Sequence, residues 1–252
     1  MTVTTAVRGA ARVIVWDRQA RRNAWDLDTM TGVADAIEAA GEEPAVRCVV
    51  LRGAGEHFSA GDDLQSAVEA DSAAWAATIE GFQRMTRVVL ASPVPAIAAV
   101  DGVCVGGALE FAASCDLRLC TNRIRLLTPE IGLGLVASNA GTLLLPEVLG
   151  ESAARELLLG GEERDAAWAR EHRFATEMVA PEELDGRIDH WAGVFERNSR
   201  AAVAATKSML NERFGELLPA AMERETDHCV RLFDEHDART ALSEFARRRT
   251  AR

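Results

Sequence analysis

The sequence predicts an α/β protein in which strands and helices alternate over most of the chain and the remainder is helical. Three observations carry this reading. Short apolar or β-branched runs such as Val46–Leu51 and Ala96–Val100 have the length and composition of buried strands. Between them, apolar residues recur three and four apart, the period of an amphipathic helix. After about residue 195 the strand-like runs stop. The expected division is a core over 1–195 and a helical region over 196–252.

Taken in order, Val3–Val7 and Ala11–Trp16 flank Arg8-Gly9 and read as a hairpin. Arg21–Trp25 is a polar turn. Asp26 is placed to cap a helix reaching about Ala40, in which Met30, Val33, Ala34 and Ile37 share a face with Leu27. Val46–Leu51 is a strand, and Asp62 or Asp63 is a candidate cap for a short helix after Gly61. Ser72–Leu90 carries Trp75, Ile79, Phe82, Met85, Val88 and Val89 at helical spacing and stops at Ser92-Pro93-Val94-Pro95. The strand Ala96–Val100 ends in the turn pair Asp101-Gly102, and Gly106-Gly107 precedes the helix-prone Ala108–Ala113. Asp116–Cys120 and Arg123–Leu127 read as two more strands. Helices are then expected over Ala140–Leu149, Ser152–Leu159 and Asp165–His172, with a last strand at Thr176–Val179. A helix opens at Pro181 and runs to about Arg197, another is capped by Asn198 or Ser199, and two more cover Leu217–Phe233 and Ala238–Arg248. Arg247-Arg248-Arg249 reads as a basic helix end, which the helix dipole favours.

With 252 residues, 48% of them hydrophobic, the chain can bury a sizeable core. Its net charge of −11 argues against a nucleic-acid partner, which needs clustered Lys and Arg. A few local cations and backbone N–H groups can still hold an anionic ligand. The five cysteines are odd in number and lie mostly in apolar runs, which suits buried free thiols in a reducing compartment. No CxxC pair, HExxH sequence or His cluster is present, so no protein-bound metal is expected. The N-terminus has no secretory pattern and no run approaches the ~20 apolar residues of a membrane span, so a cytoplasmic location without a membrane partner is expected.

Chemistry concentrates between His57 and Glu130. A Gly-Gly pair opening a helix at Gly107 leaves N–H groups pointing outward with the positive end of the helix dipole behind them. Such groups form half of an oxyanion hole; the same glycines also suit close helix–strand packing. The turn at Ala60-Gly61 could aim the Ala60 N–H into the same space, or simply lead into a capped helix. Glu110 lies three residues after Gly107, on the same helix face, among Ala108, Leu109, Phe111, Ala112 and Ala113. Burial would raise its pKa toward the range useful for proton transfer, whereas an arginine partner would make it structural. Glu130, between Pro129 and Ile131-Gly132-Leu133-Gly134, is a second carboxylate in apolar surroundings, or a first-turn glutamate facing a helix dipole. His57 and Ser59 lack a Gly-x-Ser-x-Gly context, so a hydrolase triad is not indicated.

These pieces, in this order, resemble the crotonase superfamily, and within it the enoyl-CoA hydratases. The resemblance rests on Phe58-Ser59-Ala60-Gly61-Asp62-Asp63-Leu64, Asp101-Gly102-Val103-Cys104-Val105-Gly106-Gly107-Ala108-Leu109-Glu110, Cys115-Asp116 and Pro129-Glu130-Ile131-Gly132-Leu133-Gly134. Arg22-Asn23-Ala24 and Ala241–Arg249 add to it, so it spans nearly the whole chain. It implies a crotonase-like ββα superhelix core with a C-terminal helical region that mediates homotrimers, often paired into homohexamers. It implies that Ala60 and Gly107 hold the thioester oxygen of an acyl-CoA. Glu110 and Glu130 match the two hydratase glutamates, with Glu110 acting as base toward water at Cβ and Glu130 exchanging the Cα proton. The roles reverse in dehydration. Coenzyme A, part of the substrate, would run past Ala24, Ala60, Gly61, Asp62, Asp63, Leu64 and Gly107, and no separate cofactor is implied. Fatty-acid β-oxidation is the metabolic setting of such enzymes. Double-bond isomerisation, thioester hydrolysis and ring opening use the same oxyanion hole and stay open, as does acyl-CoA binding without turnover. One departure stands out. Where the hydratases continue with a Pro-Gly-x-Gly-Gly-like turn, this chain reads Val136-Ala137-Ser138-Asn139-Ala140-Gly141, so Ser138 or Asn139 is expected to touch a polar or ring-bearing acyl group.

Overall fold

A computed structural model describes residues 2–250, with side chains described for all of these except 245, 246 and 248–250. The side chains of Arg248 and Arg249, which form part of the expected basic helix end, are therefore not described.

The chain begins with the hairpin β1 (Val3–Arg8) and β2 (Ala11–Trp16), paired antiparallel. Helix α1 (Leu27–Glu42) follows, its first turn capped by the Asp26 carboxylate, which accepts from the Thr29 N–H. Then come β3 (Cys48–Gly53), the short α2 (Leu64–Glu69) and α3 (Ser72–Ala91), β4 (Ala96–Val100), β5 (Val103–Val105), α4 (Gly107–Ser114), β6 (Leu117–Thr121) and β7 (Arg125–Leu127). Helices α5 (Gly141–Leu149), α6 (Glu151–Gly160) and α7 (Ala166–Glu171) lead to β8 (Glu177–Val179). Four helices complete the chain: α8 (Leu184–Arg197), α9 (Arg200–Glu212), α10 (Leu217–Phe233) and α11 (His236–Thr250).

Six strands form one sheet in the order β1-β2-β3-β4-β6-β8, parallel except for the first pair. Both faces are covered, as parallel sheets require. Alternate side chains separate cleanly. Val49, Leu51, Ala98 and Val100 join the large core under α1, α3 and α4. Cys48, Val50, Ile97 and Ala99 join Leu184, Ile188 and Ala192 of α8 on the other face. The two-stranded β5-β7 sheet stands apart. β5 has only three residues, and its Val-Cys-Val core could not be told from the turn around it by periodicity. The strand expected from Arg123 begins instead at Arg125, because Asn122 and Arg123 form the turn before it. Asp63 precedes α2 but makes no cap hydrogen bond; its carboxylate is taken by Arg18 and Arg21. All five cysteines are buried free thiols, and no helix among the described residues is long and apolar enough to cross a membrane.

The helices after residue 195 return to the core. α10 packs on α3, and α11 packs on α2 and on the 3-10 turn Pro129–Leu133. α9 buries one residue, Lys207, whose Nζ donates to the Val89 carbonyl (2.8 Å), the Val94 carbonyl (3.1 Å) and Asp116 Oδ2 (2.8 Å). The same Asp116 oxygen accepts the Ala96 N–H at 2.7 Å. One ammonium thus ties α9 to the end of α3, the start of β4 and the start of β6, with all three of its protons used. Lys207 is buried and Asp116 partly so, and removing the ammonium leaves three oxygens without this donor. Lys207→Met is expected to destabilise the protein by about 3 kcal/mol, read by urea denaturation; a loss below about 1 kcal/mol would show that the ion pair is idle.

Candidate active site

The turn after Phe58 is stitched to residues 22–25 by backbone hydrogen bonds. The Ala60 N–H donates to the Arg22 carbonyl (3.0 Å), the Trp25 N–H to the Gly61 carbonyl (2.8 Å) and the Asp63 N–H to the Trp25 carbonyl (3.0 Å). The Gly61 N–H meets Ser59 Oγ at 3.1 Å. Of the four N–H groups from 60 to 63, only that of Asp62 has no partner among the described residues. This corrects the expectation for Ala60, whose N–H is already engaged by Arg22. The N–H left unbonded lies two residues on, because the Ser59 hydroxyl takes the Gly61 N–H and the Trp25 carbonyl takes that of Asp63. Across from it stands Gly107, the first residue of α4, whose N–H has no carbonyl one turn earlier to bond. A Cβ on Gly61 would lie 3.7 Å from the Gly107 nitrogen, so the two loops are in contact there.

Beneath this pair is a cluster of aromatic rings. Trp16, Trp25 and Phe58 meet edge to face at centroid distances of 5.0–6.3 Å, and Phe82 and Phe111 continue the contact from Trp25. Trp16 Nε1 donates to the Phe58 carbonyl at 2.8 Å. Asn23, fully buried, closes the turn by donating to the Ala54 and His57 carbonyls. These contacts hold the turn in place.

Glu110 is fully buried on α4. No arginine reaches it among the described residues, which removes the structural reading left open by its surroundings. Its Oε2 accepts the Asn139 N–H at 2.8 Å and the Gly141 N–H at 3.1 Å, while Oε1 has no partner. Between these donors Ala140 adopts a left-handed conformation (φ +58°), which turns successive N–H groups inward as an anion-binding nest. A side chain on Gly141 would come within 2.6 Å of that oxygen, so glycine is required there. Burial drives the Glu110 carboxyl well above its ordinary range, and the neighbouring Glu130 and Glu225 add to the shift.

Glu130 sits in the 3-10 turn, with its Oε2 sealed and unpartnered and its Oε1 against Gly106. Burial pushes its carboxyl up to about 7, with Glu225 contributing. Asp62 and Glu130 line one small cavity with Leu64, Val136 and Ser138. The Asp62 carboxyl, with Oδ1 sealed, is pushed up to about 8 by burial and by Glu130 and Asp63. Asp62, with Trp75, also lines a second, wider cleft bounded by Asp26, Asp28 and Asp63.

The remaining expected contacts divide. Leu64 lines the cavity. Ala24 is buried, with its carbonyl held by Arg18. Asp63 is committed to Arg18 and Arg21. Ser138 faces the cavity, whereas the Asn139 amide turns to the Gly107 carbonyl (3.5 Å), so contact between Asn139 and an acyl group is not what the structure holds. Two buried polar residues escaped the sequence reading. Gln83 donates to the Ser138 carbonyl, the Met222 carbonyl and Thr226 Oγ1. Glu225 accepts from Thr142. A signal for Glu225 existed: it interrupts the stripe Ala221, Cys229, Phe233, which repeats every four residues along α10.

Comparison with known proteins places this geometry. Residues 8–252 match the family described as enoyl-CoA hydratase/isomerase. The chain is 31% identical to a crotonyl-CoA hydratase of Syntrophomonas wolfei over 95% of its length and 92% of that protein. It is 28% identical to a short-chain-enoyl-CoA hydratase of Clostridium acetobutylicum, covering 96% and 93% of the two chains. It superposes on a crystal structure of an enoyl-CoA hydratase/isomerase from Xanthobacter autotrophicus Py2 with a TM-score of 0.87 at 28% identity, covering 98% and 93%. The chain belongs to the enoyl-CoA hydratase/isomerase family of the crotonase superfamily, and within it is most like the enoyl-CoA hydratases.

Proposed function

We propose that this protein adds water reversibly across the 2,3 double bond of a short-chain 2-enoyl-CoA. The observation that carries this reading is the pairing of two unbonded N–H groups, on Asp62 and Gly107, with two carboxyls that each hold a buried, unpartnered oxygen, Glu110 and Glu130. The thioester oxygen would lie between the two N–H groups and gain hydrogen bonds as it becomes an enolate, each typically worth ~3 kcal/mol in the transition state. Water oxygen bonds to Cβ as its proton passes to Glu110, and the π electrons move to the thioester oxygen. Collapse of the enolate takes a proton from Glu130 at Cα. The reverse path dehydrates. Burial and their mutual repulsion keep Glu110 and Glu130 from ionising together, which suits one group taking a proton while the other gives one. These steps use only the chain's own groups and the substrate, so no metal or separate cofactor enters the proposal.

The crotonyl-CoA relative and the confined cavity at Glu130 support a short acyl chain. Asp62 and Ser138 add hydrogen-bonding capacity where that chain leaves Cβ. A homotrimer or homohexamer is supported by α9, whose Met209 and Leu210 are each 65% exposed.

Crotonyl-CoA is the first probe: its conjugated thioester absorbance is expected to fall on adding enzyme. Glu110→Gln and Glu130→Gln should each lower turnover by about 10²–10⁴-fold. Wild-type rates in either variant would end the assignment, and an isomerised product or free thiol would redirect it to another reaction of the superfamily.

The raised carboxyls also set a stability profile. In the unfolded chain Glu130 ionises near 4.5, whereas the native protein keeps its proton to about 7. Between these values the native state binds more protons, so stability present near pH 4.5 falls as pH rises through 7. For Glu130 the loss is about 3 kcal/mol. Denaturant midpoints from pH 5 to 8 should therefore fall in the wild type and fall less in Glu130→Gln; identical slopes would contradict a protonated Glu130.

A further inference from the structure

We propose that Glu225, on α10, is a positioning residue for Glu110 and acts through the 139–142 turn that both carboxylates share. This rests on the reading of Glu110 as a proton-transfer group. Glu225 is 5% exposed, and its Oε1 accepts both the Thr142 N–H (2.8 Å) and the Thr142 hydroxyl (2.5 Å). Glu110 Oε2 takes the Asn139 and Gly141 N–H groups of the same turn. The N-terminus of α5 is thus divided between two carboxylates, one in the site and one outside it. Gln83 holds the turn at its other end, where its amide links the Ser138 carbonyl to Met222 and Thr226 of α10. α10 therefore grips both ends of the segment that supports Glu110. A bond at Thr142 fixes the direction in which the 139 and 141 N–H groups point, and so fixes which Glu110 oxygen is occupied and which stays open. Glu225 Oε2 has no partner, so the residue is not a fully satisfied structural anchor.

The groups that bear electrostatically on Glu110 are Glu130 from the 3-10 turn and Glu225 from α10; charge on Glu110 and on Asp62 in turn raises the Cys229 thiol of α10. α3 and α5 contribute the neutral Gln83 and Thr142 to the turn that holds it. Charge on Glu225 disfavours charge on Glu110, so neutralising Glu225 makes Glu110 more acidic.

The test compares the full-length wild type with Glu225→Gln, Thr142→Val and the conservative Thr142→Ser. Glu110 is titrated by carbon-13 NMR of labelled glutamate carboxyls, assigned by loss of the signal in Glu110→Gln. Turnover of crotonyl-CoA is followed from pH 5 to 9. Glu225→Gln is expected to lower the Glu110 midpoint by about one pH unit and to cut kcat at least tenfold with KM little changed. Thr142→Val should move both in the same direction by less, and Thr142→Ser should restore wild-type values. If Glu225→Gln does not fold, the Thr142 pair decides alone. An unmoved Glu110 midpoint in a folded Glu225→Gln or Thr142→Val protein overturns the proposal. A wild type that turns over no enoyl-CoA sinks the hydratase reading, while the NMR midpoint still tests the link between Glu225 and Glu110.

Discussion

The hydrogen bonds from the Asn139 and Gly141 N–H groups to Glu110 Oε2 are the contact on which the site depends. A carboxylate with no exposed surface must either lose its charge or find donors, and the nearest donors belong to the backbone. Supplying them requires a left-handed residue at 140 and no side chain at 141. It also requires α5 to begin at that point, because a helix start has N–H groups to spare. Holding α5 there falls to α3 and α10, through Gln83 and Glu225. A single ionisable side chain thus constrains three helices and one turn, two of them far from it in sequence.

Most of the fold was legible because its strands and helices are periodic. Val46–Leu51 and Ala96–Val100 are apolar for the length of a strand, and the stripe of Ser72–Leu90 matches helix α3 closely. β5 was not legible, since three residues inside a glycine-rich turn carry no period. Within the site, Glu110, Glu130 and Gly107 could be singled out because a carboxylate among alanines, or glycines before a helix, is a local anomaly. The second unbonded N–H could not be found that way. Ala60, Gly61 and Asp62 all lie in a tight turn, and which N–H stays free is decided by carbonyls at 22 and 25 and by the Ser59 hydroxyl. The choice between 60 and 62 is a fact about strand-like pairing between distant segments, which no single turn encodes.

The atypical Val136–Gly141 segment is accounted for in part by its backbone. Its N–H groups at 139 and 141 support Glu110, and a backbone function tolerates varied side chains except where a Cβ collides. Asn139 contributes its N–H to Glu110 and rests its amide on the Gly107 carbonyl, so it serves both the carboxylate and the helix that carries it. Ser138, by contrast, lines the cavity. The departure that looked like one specificity determinant is therefore two neighbours with different duties.

The same division explains how a chain of net charge −11 tolerates so many acids near one cavity. Asp63 is neutralised by Arg18 and Arg21 outside the reacting space, where an ion pair fixes the turn without entering the chemistry. Glu110 and Glu225 face backbone or hydroxyl donors instead of cations. A guanidinium beside Glu110 would hold its carboxyl low and charged at all working pH values. Peptide N–H groups orient the carboxylate while burial still raises its proton affinity, the balance that the proposed proton-transfer role needs. Among the described residues the ion pairs at this turn thus belong to the scaffold, and Glu110 and Glu225 are left as groups that can change their charge.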